Sequence, residues 1–139
     1  MNDILEYENG DFYYGESING VRCGKGVYTS NGVKISGEWK DNHLNGVGKM
    51  ECANFTYEGE FKNTIRNGVG KEIYKDGTVY KGEFLNGKKH GKMKIYLKNG
   101  AILDCEFSCG VGVGNGEMLM TDGEKVSVYF NDGKLYFSK

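Results

Sequence analysis

The chain has 139 residues, 23 of them glycine and none of them proline, and its formal net charge at pH 7 is −1. The length predicts one domain, and abundant glycine without proline excludes a collagen-like chain or a proline-rich linker. A net charge this close to zero excludes a general electrostatic attraction to nucleic acid.

The first ten residues predict a half-unit that opens a sheet. Ile4, Leu5 and Tyr7 precede the dipeptide Asn9-Gly10, which favours a tight hairpin turn. Residues 1–20 are acidic and contain no apolar core, so no secretory signal is expected. A reduced, cytoplasmic setting is the simplest interpretation, with the membrane periphery or the cytoskeleton as places of action. The cysteines expected to be free thiols there are Cys23, Cys52, Cys105 and Cys109.

A longer unit recurs five times, over about residues 11–123. Its clearest copy reads Tyr80-Lys81-Gly82-Glu83-Phe84, and a second glycine follows at Gly91. The first glycine of the unit lies at positions 15, 37, 59 and 82, at intervals of 22 or 23 residues, and Cys105 and Val128 take its place further on. A fixed period of this length indicates a repeat architecture.

Each unit predicts one hairpin. Tyr80, Gly82 and Phe84 alternate with polar residues, so they share one face of a strand. A longer loop, such as residues 62–67, is expected next, and a second strand then passes through a Gly-x-Gly sequence. Asn-Gly or Asp-Gly dipeptides lead to the following unit, because they tolerate the positive φ of a tight turn.

The two faces of the predicted sheet differ in composition. One, which we call the ring face, carries large rings and the repeated glycines, and we expect the rings to lie over the bare backbone of the glycines. The other carries a recurrent glutamate, at positions 16, 38, 60, 83 and 106, and lysines at 49, 71 and 94. Cross-strand Glu–Lys pairs are predicted on this second face.

The last unit departs from the pattern and predicts a closing hairpin over residues 124–139. Val128 and Phe130 keep the alternation, and Asn131-Asp132-Gly133 makes a short turn into Leu135-Tyr136-Phe137. Terminal repeats are expected to be atypical. The apolar terminal strand raises one alternative for function, a self-associating scaffold that forms a homodimer.

Tyr80-x-Gly82-Glu83-Phe84-x5-His90-Gly91 resembles the MORN (membrane occupation and recognition nexus) repeat, and so does Tyr57-x-Gly59-Glu60-Phe61-x6-Gly68-x-Gly70. The resemblance covers nearly the whole chain as five full repeats with half-units at the ends. Ser17, Met93 and Cys105 break the motif.

The resemblance implies an all-β fold, an elongated single-layer antiparallel sheet of consecutive hairpins with a groove, which would form one domain over residues 1–139. It also implies a non-enzymatic protein-interaction or scaffold module. The expected partner is a peptide or a helix, and phosphoinositide binding is assigned to some members.

The ring face is the predicted partner site. A single sheet cannot cover this face with its own residues, so uncovered aromatic area is expected there, and such area is typical of protein interfaces. The residues predicted to bind a partner are Tyr13, Trp39, Tyr57, Phe61, Tyr80, Phe84 and Phe107.

A basic middle region offers a second alternative. Residues 62–98 contain nine lysines and Arg66 against three acidic residues. Lysines contribute about 1 kcal/mol each near an anionic membrane, so the chain could act as a peripheral membrane adaptor that binds acidic phospholipids. The lysines in this hypothesis are Lys81, Lys88, Lys89, Lys92, Lys94 and Lys98.

Other kinds of site are weakly supported. The glycine-rich segment 110–116 lacks the following helix that a phosphate loop needs. Cys105 and Cys109 with His43 or His90 match no usual zinc spacing. No nucleophile, base and orienting group are predicted to meet. We therefore predict no cofactor, no metal and no catalytic activity.

Overall fold

The strands of this protein follow one another across a single sheet. The computed structural model describes residues 2–138, which form thirteen antiparallel strands paired in the order β1 to β13. The predicted single-layer sheet of consecutive hairpins is confirmed. The strands are β1 Asp3–Glu6, β2 Phe12–Ile18, β3 Val21–Ser30, β4 Val33–Lys40, β5 His43–Glu51, β6 Phe55–Lys62, β7 Ile65–Tyr74, β8 Val79–Leu85, β9 Lys88–Tyr96, β10 Ile102–Ser108, β11 Val111–Leu119, β12 Lys125–Asn131 and β13 Lys134–Phe137. Within residues 2–138 we find no helix long and apolar enough to cross a membrane.

The turn inside each hairpin is shorter than predicted. β6 runs to Lys62 and β7 begins at Ile65, so the expected loop over residues 62–67 is wrong. Only Asn63 and Thr64 form the turn, with φ values of 50° and 68°, as a two-residue hairpin turn requires. A bulge takes up the remaining residues, because between the pairs Gly59–Gly70 and Phe61–Arg66 one residue of β6 faces three of β7.

The repeated glutamate accepts a hydrogen bond from a backbone N–H group of the bulge. The carboxylate of Glu60 accepts a hydrogen bond from the backbone N–H of Val69 at 2.6 Å, and Glu16 accepts one from the N–H of Lys25 at 2.5 Å. A bulge leaves such N–H groups without a ladder partner, so these two glutamates supply the missing acceptors and fix the register.

The predicted pairing of this glutamate column with lysines is wrong. The lysines at the three predicted positions pair instead with acidic residues outside the column, at N–O distances of 3.0, 3.7 and 3.4 Å. These pairs are Lys49–Glu51, Lys71–Glu58 and Lys94–Asp104. All three are about half exposed, so each contributes little to stability.

The glycines of the ring face make room for tyrosine rings. Gly59 and Gly70 face each other across β6 and β7, and a Cβ on Gly70 would overlap the ring of Tyr57. The Tyr57 hydroxyl donates a hydrogen bond to the carbonyl oxygen of Glu60 at 2.8 Å. Tyr13 makes the corresponding bond in the first unit. Both tyrosines are fully buried, so a single sheet builds its core on one face.

The core of the ring face has two parts. The N-terminal part is mostly aromatic and consists of Tyr13, Trp39, Leu44, Tyr57, Phe61 and Phe84. The C-terminal part is mostly aliphatic and consists of Met93, Ile95, Ala101, Leu103, Cys105, Phe107, Met118 and Val128. The change follows the loss of glycine from the repeat, because Met93, Cys105 and Val128 carry side chains where earlier units have none.

Candidate functional site

The rings predicted to bind a partner are mostly covered by the protein itself. Tyr13, Trp39, Tyr57, Phe61, Phe84 and Phe107 are buried, with exposed fractions between 0% and 9%. The expectation of a wide uncovered aromatic surface is therefore wrong. Neighbouring rings and glycines cover these side chains; for example, Tyr57 contacts Phe84 edge to face at 4.9 Å between ring centres. Whether these rings bind a partner stays a prediction.

Tyr80 is the exception among the seven rings. The glycine pair under Tyr13 or Tyr57 becomes Gly82 opposite Met93 in this unit, and the Met93 sulfur occupies the space over Gly82. The Tyr80 ring is only partly buried, and its hydroxyl makes no hydrogen bond within residues 2–138. One departure from the repeat thus leaves a tyrosine near the surface.

Tyr80 lines a groove on the C-terminal half of the ring face. The groove has a volume of about 500 Å³, and Ile95, Leu103 and Phe107 form its buried floor. Phe130 and Leu135 lie on the side of the closing hairpin. This surface is concave, apolar and rich in rings, which is the usual character of a site that holds a ligand or a peptide segment.

A buried ion cluster lies next to this groove, and its Lys89 also lines the groove. The carboxylate of Glu72, which is 3% exposed, pairs with Arg66 at 2.5 Å and with Lys89 at 3.1 Å. It also accepts a hydrogen bond from the Tyr74 hydroxyl at 3.1 Å. The Lys89 ammonium lies 4.6 Å from the ring centre of Tyr80. These ring-face charges were not predicted from the sequence, although Arg66 and Lys89 both lie two residues before a repeat glycine.

The six lysines of the membrane hypothesis do not form one surface. Lys81, Lys92 and Lys94 line a common cleft on the face opposite the rings. Lys89 lies on the ring face in the Glu72 cluster. Lys88 begins β9, and Lys98 lies in the turn after that strand, at its other end. Only three of the six are therefore placed to meet one ligand together.

The structure adds no support for a phosphate loop or a metal site. The segment 110–116 forms a turn and part of β11, and a strand rather than a helix follows its last glycine. All four cysteines have free thiols. Over residues 2–138 there is no group of three or more His, Cys, Asp or Glu side chains that could hold a metal ion.

The buried tyrosines predict a loss of stability at alkaline pH. Burial raises the pKa of Tyr13 and of Tyr57 to about 12, whereas a phenol in the unfolded chain titrates near 10. Because the folded state holds these protons more tightly, stability is complete below about pH 10 and falls as pH rises towards about 12. We expect a lower free energy of unfolding in urea at pH 11 than at pH 8, and a weaker pH dependence for Tyr57→Phe. Equal values at both pH values would contradict this.

The geometry defines a class of protein: a repeat protein whose hairpins form an open sheet with a core on one face and a groove beside it. The family model for the MORN repeat matches residues 13–32, 36–56, 57–79 and 80–100. The chain therefore belongs to the MORN repeat family, whose repeats serve as protein or membrane interaction modules.

The fold of the chain is similar to that of a solved structure. The chain is similar to the TCP domain of SAS-4 (dCPAP) from Drosophila melanogaster, solved in complex with a proline-rich motif of Ana2 (dSTIL). The two share 14% identity with a TM-score of 0.54, over 99% of this chain and 83% of that one. At this identity the likeness shows the fold alone. No match was found among curated protein sequences.

Proposed function

We propose that this protein is a non-enzymatic interaction module that holds an extended segment of a partner protein in the groove of the ring face. The observation that carries the proposal is the apolar groove of about 500 Å³ beside Tyr80. Two of the seven predicted rings, Tyr80 and Phe107, line it, and the other five belong to the N-terminal part of the core.

The shape and lining of the groove favour an extended partner. Rings that flank an apolar floor suit a polyproline-like segment, which loses little conformational entropy on binding. A protein of the same fold, the TCP domain of SAS-4, was solved with a proline-rich motif. This supports a segment of a protein, rather than a small molecule, as the occupant.

The test uses peptides selected from a random library of short linear sequences against the wild-type protein. We expect proline-rich or otherwise extended apolar peptides to be selected, and Tyr80→Ala to weaken their binding at least tenfold, about 1.4 kcal/mol. Tyr14→Ala is the matched control, because Tyr14 is 50% exposed and pairs with Ile4 and Val27 on the opposite face. Equal affinity for Tyr80→Ala and wild type would end the proposal.

Binding of acidic phospholipids is a second candidate, favoured by one observation. Lys71, Lys81 and Lys94 occupy directly opposed positions on three consecutive strands of the face away from the rings. Lys71 pairs with Glu58 and Lys94 with Asp104, whereas Lys81 lies between these two cations without an ion pair inside the described residues 2–138. An anionic surface would supply the counter-charge for Lys81. Sedimentation with anionic vesicles at low and high salt tests it, and Lys81→Gln should reduce any binding.

Self-association is a third candidate. Every residue of the edge strand β13 is exposed, including Leu135, Tyr136 and Phe137. An apolar edge strand with unpaired backbone groups is a template for pairing with another chain. Light scattering over a range of protein concentrations distinguishes a monomer from a homodimer.

A further inference from the structure

Arg22 is held by aromatic rings near the N-terminal end of the ring face. It lies on β3, two residues before a repeat glycine, as Arg66 does on β7. Its guanidinium carbon is 4.7 Å from the ring centre of Tyr28, 5.2 Å from that of Trp39 and 5.6 Å from that of Tyr7. We call these three rings and Arg22 the arginine cage.

The arginine cage lacks the carboxylate that balances charge in the middle of the sheet. Two residues after the last glycine of the Gly-x-Gly sequence, which is Gly70 on β7 and Gly26 on β3, β7 carries Glu72, whereas β3 carries Tyr28. Arg66 and Lys89 pair with Glu72. Within residues 2–138 no carboxylate forms an ion pair with Arg22.

The hydrogen bonds of Arg22 go to neutral groups. One terminal nitrogen donates to the Tyr7 hydroxyl at 2.7 Å and the other to the carbonyl oxygen of Asn42 at 2.7 Å. The Nε atom is buried and has no acceptor within the described residues. Asp11 reaches the cage only through Tyr28, whose hydroxyl donates to its carboxylate at 2.8 Å.

A half-buried guanidinium in this state attracts an anion. It has five N–H donors, of which two are engaged, and a partly desolvated charge without a counter-ion is unfavourable. We propose that the arginine cage is a carboxylate-binding site that takes an Asp or Glu side chain of the partner segment bound on the ring face. This inference rests on the proposed function and adds an acidic residue to the description of the partner.

The position of the cage favours a protein side chain over a membrane. Arg22 is recessed among Tyr7, Tyr28 and Trp39 but stays partly exposed, a position that suits a single carboxylate on a flexible stem. A flat layer of headgroups meets projecting side chains first, and the projecting lysines lie on the opposite face.

The protein contains its own reporter for this site. Trp39 is the one tryptophan of the chain, its ring stacks on Arg22, and its indole N–H donates to the Gly26 carbonyl oxygen at 2.9 Å. We expect titration with a hexaglutamate peptide to change Trp39 fluorescence saturably at low salt, and hexaglutamine to cause no change. Raising the salt concentration should weaken the binding.

Two variants test the assignment to Arg22. Arg22→Gln should weaken hexaglutamate binding at least tenfold, the loss expected for a charge-assisted hydrogen bond. Tyr28→Glu places a carboxylate in the position that Glu72 has in the middle unit, so it should block the peptide while the protein stays folded by circular dichroism. Lys25→Gln, which removes the same charge from an exposed position on the opposite face of the same strand, should leave the Trp39 response unchanged.

The outcomes separate this inference from the proposed function. No saturable response in wild type, or full hexaglutamate binding by either Arg22→Gln or Tyr28→Glu, would overturn the carboxylate site. The carboxylate site would also be overturned if the wild-type protein bound anionic vesicles but not hexaglutamate and Arg22→Gln abolished the vesicle binding. Failure to select any groove peptide, or equal affinity of those peptides for Tyr80→Ala and wild type, would end the groove proposal, whereas a saturable hexaglutamate response that Arg22→Gln loses would still support the carboxylate site.

Discussion

Alanine in place of Gly70 should destabilise the protein by about 3 kcal/mol, at the upper end of the cost of overpacking a core. The added Cβ would overlap the buried Tyr57 ring, whose hydroxyl is fixed by the Glu60 carbonyl oxygen. The ring cannot move aside, because Phe61 and Phe84 contact it edge to face. We expect a fall in the thermal midpoint of about 10 °C, measured by circular dichroism.

The matched control is the neighbouring residue. Val69→Ala changes a side chain that is 56% exposed on the same strand, so its midpoint should stay within about 2 °C of wild type. If Gly70→Ala melts as wild type does, then the glycine pair is not needed for ring packing, and the physical explanation of the repeat is wrong.

Glu72→Ala should cost about 3–5 kcal/mol, as expected when one member of a buried ion cluster is removed. The substitution leaves Arg66 and Lys89 partly buried without their shared carboxylate. Glu58→Ala is the control on the neighbouring strand, because its pair with Lys71 is 3.7 Å long and about half exposed. It should cost less than about 0.5 kcal/mol in urea unfolding.

A rescue experiment distinguishes charge from packing. Replacing Arg66, Glu72 and Lys89 together with methionine removes all three charges and keeps apolar bulk near the rings. We expect this triple variant to recover most of the stability that Glu72→Ala loses. If the triple variant is as unstable as Glu72→Ala, then shape rather than charge balance explains the effect.

The sequence predicts the fold well because several residue types stay in phase. The glycines, the rings and the turn dipeptides recur together, and strand alternation places them on defined faces. The bulges could not be predicted from the sequence. Residues 67–69 would have the same sequence if they formed a loop, whereas in the structure they lie opposite Glu60 between two ladder pairs.

The site is predicted less completely than the fold. Periodicity places the rings on one face, but it cannot show how deeply Tyr57 lies over Gly70 or that Tyr80 stays near the surface. The replacement of a glycine by Met93 was visible as a break in the repeat, yet its effect depends on side-chain contacts. Arg22, Arg66 and Lys89 each lie two residues before a repeat glycine. This regular spacing could have indicated cations on the ring face, but it was not used.

The order of the strands also affects how the chain folds and unfolds. Every strand pairs only with strands adjacent in sequence, so contacts are local and loop closure costs little entropy, which favours rapid folding. Opening is then expected to start where a strand has one neighbour, at β1 or β13, and to proceed inward hairpin by hairpin. Under tension applied to its two ends, such a molecule unzips in small steps and yields gradually, as a compliant tether does.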